Sequence, residues 1–224
     1  MVTNADSFDK VVSTYFHALT KKPFTFKGKE YLPKQRLVIS PLLLRGFTCP
    51  SECGGCCARV TLDYLPMEPH PEYIGLRIVE FNGKAYSLLS DTQSESNSPK
   101  CKHLRYEDGR CNIHNYHPML CDVELLKFLH YDDHALLLSK LYGRGWALSR
   151  VDGKKGAKCE MLPVTSETIT DIIRKLYRIR DWCIYFNLDS WIDDIIEWAQ
   201  NYPSAQGTHL VLSTEQGAQL AHVE

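Results

Sequence analysis

The stretch YIGLRIVEFNGKAYSLL, residues 73–89, decides how the rest of the chain is read. Ile74 to Phe81 and Lys84 to Leu89 carry branched, aliphatic and aromatic residues suited to strands. Between them Asn82-Gly83 tolerates the positive φ of a type I′ turn, so the segment predicts a β-hairpin. Asp91 to Lys100, with Ser94, Ser96, Ser98 and Asn97, then reads as a polar loop that separates the hairpin from the cysteines that begin at Cys101.

On the N-terminal side, Ser7 to Thr20 places Phe8, Val11, Val12, Tyr15, Phe16 and Leu19 at three- and four-residue steps, the pattern of a helix with one buried face. Pro23 to Ser40 reads as extended, with Phe24, Phe26 and Tyr31 as aromatic strand formers and Leu37 to Ile39 as a short apolar run. On the C-terminal side, Thr165 to Phe186 carries Ile169, Ile172, Ile173, Leu176, Ile179 and Cys183 on one helical stripe, with Glu167 in the first turn. A second helix, opened by Asp189, runs through Ile192 to Trp198. The expected class is α+β: one domain over residues 1–200 with N- and C-terminal helices, a β-hairpin and an irregular cysteine-rich metal-binding centre. Its cysteine core spans 47–160 and its C-terminal helical part 165–200, and the small, polar residues 201–224 read as a loosely ordered tail.

The 26 basic and 27 acidic residues of this 224-residue chain leave a formal charge of -1, which gives no overall field for steering toward nucleic acid or anionic membrane. Met1 to Lys10 contains Asp6 and Asp9 and no apolar run of the secretory kind. Val38 to Leu44 is interrupted by Ser40 and Pro41, well short of the roughly 20 apolar residues that cross a bilayer. The expectation is a soluble, cytoplasmic protein without a membrane partner. In a reducing compartment nine cysteines point to metal or redox chemistry rather than to disulfides.

Four cysteines fall within nine residues: Cys49, Cys53, Cys56 and Cys57, with Gly54-Gly55 ahead of the adjacent pair. A pair spaced by two residues can place both sulfurs on one metal if the backbone turns back, and the glycines permit that turn. Consecutive side chains in an extended segment point apart, so Cys56 and Cys57 can serve different sites. Cys101, Cys111 and Cys121 follow at even intervals. Glu107-Asp108-Gly109 is a turn signal that would fold Cys101 and Cys111 side by side. Cys121 stands before an apparent helix, Val123 to Tyr131, with Asp122 as N-cap, where a thiolate is favoured. Cys159, in a glycine- and lysine-rich loop from Asp152 to Glu160, could complete a ligand set. Cys183 lies on the buried stripe and reads as core. His103, His114 and His117 read as hydrogen-bonding or packing residues, given the surplus of thiols.

Phe47-Thr48-Cys49, Cys53-Gly54-Gly55-Cys56-Cys57, Cys101, Leu104, Asp108-Gly109-Arg110-Cys111, Ile113, His117-Pro118 and Cys121 together resemble the YkgJ-like cysteine-cluster family. That family is described as zinc- or iron-chelating and includes flagellin lysine N-methylases. The resemblance covers 47–121, and Cys159 matches a looser downstream cysteine. This chain has His117 where the family usually has arginine, and Asp122 where a basic residue is common.

The eight metal-ligand candidates are therefore Cys49, Cys53, Cys56, Cys57, Cys101, Cys111, Cys121 and Cys159. Four thiolates suit tetrahedral zinc and a 4Fe-4S cluster alike, and eight allow two sites. An iron–sulfur cluster is favoured over zinc because a structural zinc module seldom needs so many cysteines. The resemblance implies an enzyme of methyl-transfer or redox type acting on a macromolecule, protein or nucleic acid. S-adenosylmethionine would then bind without a glycine-rich nucleotide loop, since Gly143-Arg144-Gly145 is too short a match. The alternative is a structural zinc module that binds a protein or nucleic acid through Lys102, Arg105, Arg110, Lys154, Lys155 and Lys158. A third reading is a redox sensor with reactive thiols. No catalytic residue is named by the sequence.

Overall fold

In a computed structural model the described residues are 7–45, 47–48, 61–72, 74–91, 101–105, 107, 111–113, 117–119, 121, 129–130, 146–147, 158–204 and 207–222. The predicted N-terminal helix is present as α1: Ser7–Lys10 and His17–Leu19 are α-helical, and Val11–Phe16 between them is a wider π-helix. Phe8, Val11, Val12, Phe16 and Leu19 are wholly buried, so the periodicity read from the sequence marks the core face.

Among the described residues all strand pairing is antiparallel. Strands β1 (Phe24–Phe26) and β2 (Lys29–Tyr31) are joined by Lys27 and Gly28, both at positive φ, 49° and 71°. This tight turn makes a hairpin inside the segment that the sequence reads only as extended. Strands β3 (Arg36–Ile39), β4 (Phe47–Thr48) and β5 (Leu62–Tyr64) follow. The 73–89 hairpin forms as predicted, with β6 (Gly75–Phe81) and β7 (Lys84–Asp91) joined by Asn82 at φ 54° and Gly83 at φ 73°. These strands build a five-stranded sheet in the order β2-β1-β6-β7-β5.

Further along come β8 (Leu129–His130), β9 (Trp146–Ala147) and β10 (Lys158–Met161), then helices α2 (Ser166–Tyr185) and α3 (Ile192–Asn201). The Thr165 hydroxyl accepts from Thr168 N while Thr165 N donates to the Thr168 hydroxyl, a reciprocal cap that fixes where α2 begins. Its buried stripe packs with α1, α3 and the five-stranded sheet around an aromatic centre. There Phe8 stacks on Phe186 at 4.5 Å and meets Phe26 edge-on at 5.2 Å. Cys183 lies in this core at 2% exposure, and burial pushes its thiol up to about 12.

The architecture is mixed α+β, and four local expectations are corrected. The stretch read as a loose tail holds β11 (Thr208–Ser213) and β12 (Gly217–His222), a hairpin on β3 in the sheet β12-β11-β3-β8. Leu210 and Leu212 are buried opposite Ile39 and Leu37, an apolar run that the polar residues of the edge strand and turn obscure. The helix predicted over Val123 to Tyr131 does not reach its end, because Leu129 and His130 pair with Ile39 and Val38; residues 122–128 lie outside the described residues. Cys159 sits in strand β10 rather than in a loop. The cap of α3 is Trp191, not Asp189, whose carboxylate pairs with Lys22 instead. Among the described residues no helix is long and apolar enough to cross a membrane.

Candidate metal centre

Strand β5 divides two environments. Alternate residues of a strand point to opposite faces. Leu62 and Tyr64 enter a small apolar cluster with Cys101, Leu104 and Ile113, against which Cys111, Leu89 and Ile74 pack. Asp63 serves other partners: its carboxylate accepts from Phe8 N at 2.9 Å and from the Arg77 guanidinium at 3.1 Å to each oxygen. It therefore satisfies an orphan N–H at the start of α1 from far along the chain.

The fold-back predicted between Cys101 and Cys111 is present. Leu104 bridges to Cys111, Leu104 N donates to the Cys101 carbonyl at 3.1 Å, and Asn112 N donates to the His103 carbonyl at 2.9 Å. Cys101 is buried, Cys111 half-buried and Cys121 exposed; none of the three is disulfide-bonded. Cys121 N donates to the Pro118 carbonyl at 2.9 Å, and the preceding His117 carbonyl accepts from Arg178 of α2 at 3.1 Å. Arg178 also pairs with Glu68 at 2.9 Å, whose other oxygen accepts from Leu65 N at 2.8 Å and from the Trp182 indole at 3.1 Å. Glu68 thus ties the segment before Cys121 to both α2 and the end of β5.

The Tyr64 hydroxyl is the polar group at the middle of this cluster. Tyr64 is 0% exposed, and its hydroxyl has no hydrogen-bond partner among the described residues. Burial, with Cys121, Asp91, Cys101 and Cys111 as its charged neighbours, pushes the phenol far above its ordinary value and keeps it protonated. Asp91, at the end of β7 beside Leu62, pairs with Lys102 and accepts from His103 Nε2 at 2.6 Å. Burial opposes ionisation of Asp91, but His103 and Lys102 outweigh it and hold the carboxyl below the usual carboxylate range.

Two of the eight candidate ligands, Cys101 and Cys111, thus pack in the cluster that holds Tyr64. The backbone of Cys159 lies in β10, where Glu160 pairs with Thr48 and Met161 with Phe47, so its strand lies against the one that ends just before Cys49. Cys49, Cys53, Cys56 and Cys57 lie outside the described residues, as do His114, Arg110, Lys154 and Lys155. Among the described residues alone, no group of three or more His, Cys, Asp or Glu is gathered to hold a metal ion. Cys101 and Cys111 pack together and offer thiols to a zinc or iron group. The donor chemistry fits such a group: soft sulfur donors beside an unpartnered buried hydroxyl suit zinc or iron rather than hard cations.

His103 takes the hydrogen-bonding role read from the sequence, and Lys102 is an ion-pair partner rather than a solvated recognition residue. Tyr64, Asp91 and Glu68 are not found by sequence reasoning. The one available signal is that Asp63-Tyr64 stands between Leu62 and Leu65, polar groups inside an apolar run.

Residues 48–136 match the family model CxxCxxCC, described as "Putative zinc- or iron-chelating domain". The match contains seven of the eight candidate ligands and leaves out Cys159. Comparison with curated proteins and with solved structures found no match.

Proposed function

Because residues 48–136 match the CxxCxxCC model, described as "Putative zinc- or iron-chelating domain", we propose that this protein binds its metal as an iron–sulfur cluster held by cysteine thiolates. The observation that supports the reading is that Cys101 and Cys111 pack in one small cluster with the buried Tyr64. The proposed ligands are these two with Cys49, Cys53, Cys56, Cys57, Cys121 and Cys159. The pairing of β10 with β4 supports Cys159 as a member, because β4 leads directly into Cys49. Eight thiolates exceed what one tetrahedral zinc uses, which favours a cluster or two centres.

A bound cluster supplies electron transfer or a Lewis-acidic iron. The chain's own part is to exclude water with Leu62, Leu104 and Ile113 and to balance thiolate charge. Methyl transfer or redox modification of a macromolecule, the activity the resemblance implies, would be built on that centre.

The test is anaerobic purification of the full chain with iron, sulfide and zinc analysis and Mössbauer spectroscopy. The expected result is a brown protein holding iron and acid-labile sulfide, bleached by air. Stoichiometric zinc without sulfide would replace the cluster by a zinc centre. Absence of any metal in protein purified and reconstituted anaerobically would end the metal reading. Cys101→Ser and Cys121→Ser should each lower metal content, whereas Cys183→Ser, in the aromatic core, should leave metal content per folded chain unchanged.

A further inference from the structure

We infer that the Tyr64 hydroxyl donates a hydrogen bond to a metal-bound cysteine sulfur, making Tyr64 a positioning residue of the centre from outside the cysteine motif. This rests on the thiolate centre proposed above. Leaving a buried hydroxyl unpaired is costly, and the great majority of such groups in native proteins find a partner. The Tyr64 hydroxyl has none among the described residues, although the side chain is completely buried. Of the side chains packed with it, Leu62, Leu104 and Ile113 offer no acceptor, whereas Cys101 and Cys111 offer sulfur.

Asp91 is the competing acceptor; its Oδ1 already pairs with Lys102 and its Oδ2 with His103, so a bond from Tyr64 would have to share one of these oxygens. A phenol carries its O–H at neutral pH, so Tyr64 acts as a donor rather than as a phenolate ligand. A thiol is a weak acceptor, whereas a metal-bound thiolate is a charged one and makes the stronger bond. Strand β5 holds the ring in place through its pairing with β7, so the donor is oriented before metal arrives. Such outer contacts orient ligand sulfurs, and their loss typically lowers metal affinity by roughly 10- to 100-fold.

Tyr64→Phe removes the hydroxyl and keeps the ring, so the test compares it with the unaltered full chain. Cobalt(II) is titrated anaerobically in competition with a chromophoric chelator, and the melting temperature of each metal-free protein is recorded. The expected result for Y64F is cobalt affinity about 10- to 100-fold weaker. A shifted thiolate-to-cobalt charge-transfer band and a metal-free melting temperature that is not lowered complete that expectation. Wild-type affinity and spectrum in Y64F would overturn the inference and leave the thiolate centre standing. A metal-free Y64F that melts lower, with cobalt affinity unchanged, would assign the hydroxyl to Asp91 or another protein acceptor and also overturn it. If the unaltered chain binds neither cobalt nor iron, the thiolate centre itself fails and Tyr64 loses its acceptor.

Discussion

The two apolar clusters on either side of β5 are held together by different means. The larger one joins α1, α2, α3 and the five-stranded sheet around Phe8, Phe16, Phe81, Trp182 and Phe186, with rings in stacked and edge-on contact. Among the described residues the smaller has Leu62, Tyr64, Cys101, Leu104 and Ile113 at its centre, and one of these is a tyrosine whose hydroxyl lacks a partner there. Apolar burial accounts for the first. A cluster of the second size buries too little to order loops by itself, as in small domains that depend on metals or disulfides. Among the described residues, cysteines and the smaller share of apolar packing therefore occur together.

The strongest way to break this contrast is Phe8→Ala. Phe8 is wholly buried against Phe186 and Phe26, so the cavity should cost about 3–5 kcal/mol in urea unfolding. Metal bound per folded chain should not change. If F8A loses metal while still folded, the two clusters are one cooperative unit. Asp63→Asn comes next, because Asp63 faces α1 while its neighbours Leu62 and Tyr64 face the cysteines. Losing its charge leaves Arg77 and the Phe8 N–H poorly matched and should cost about 3 kcal/mol. Hydrogen exchange at the start of α1 should rise first; a faster rise around Cys101 than around Phe8 would reverse the assignment of the two faces.

The larger cluster was legible in the sequence because helices and hairpins advertise themselves locally. Phe8 to Leu19 and Ile169 to Cys183 repeat at helical spacing, and Asn82-Gly83 has few conformations open to it beyond the turn it makes. The β11–β12 hairpin was hidden because three apolar residues, Leu210 to Leu212, gain meaning only from β3, far away in the chain. Cysteine spacing made Cys101 and Cys111 visible as a pair. It could not reveal Tyr64, Asp91 or Glu68, which reach their neighbours through sheet pairing and a helix-borne arginine, contacts that no local pattern encodes.

The smallest expected effect lies at the boundary of the cysteine cluster, in Asp91 with Lys102 and His103. The folded state holds the Asp91 carboxyl below the value of about 3.9 that an unfolded chain shows. A depressed carboxyl contributes stability that is fully present above the unfolded value and is lost as pH falls through the folded one. Lys102 is partly exposed, so screening reduces the contribution, and Asp91→Asn should cost about 1 kcal/mol at neutral pH. The difference between the unaltered chain and D91N should stay constant from neutral pH to about 5 and shrink as pH falls below about 4. Equilibrium unfolding across that range measures it directly. A difference that persists undiminished at pH 2 would mean that Asp91 acts there by packing and not by charge, and that Lys102 and His103 are held by something else.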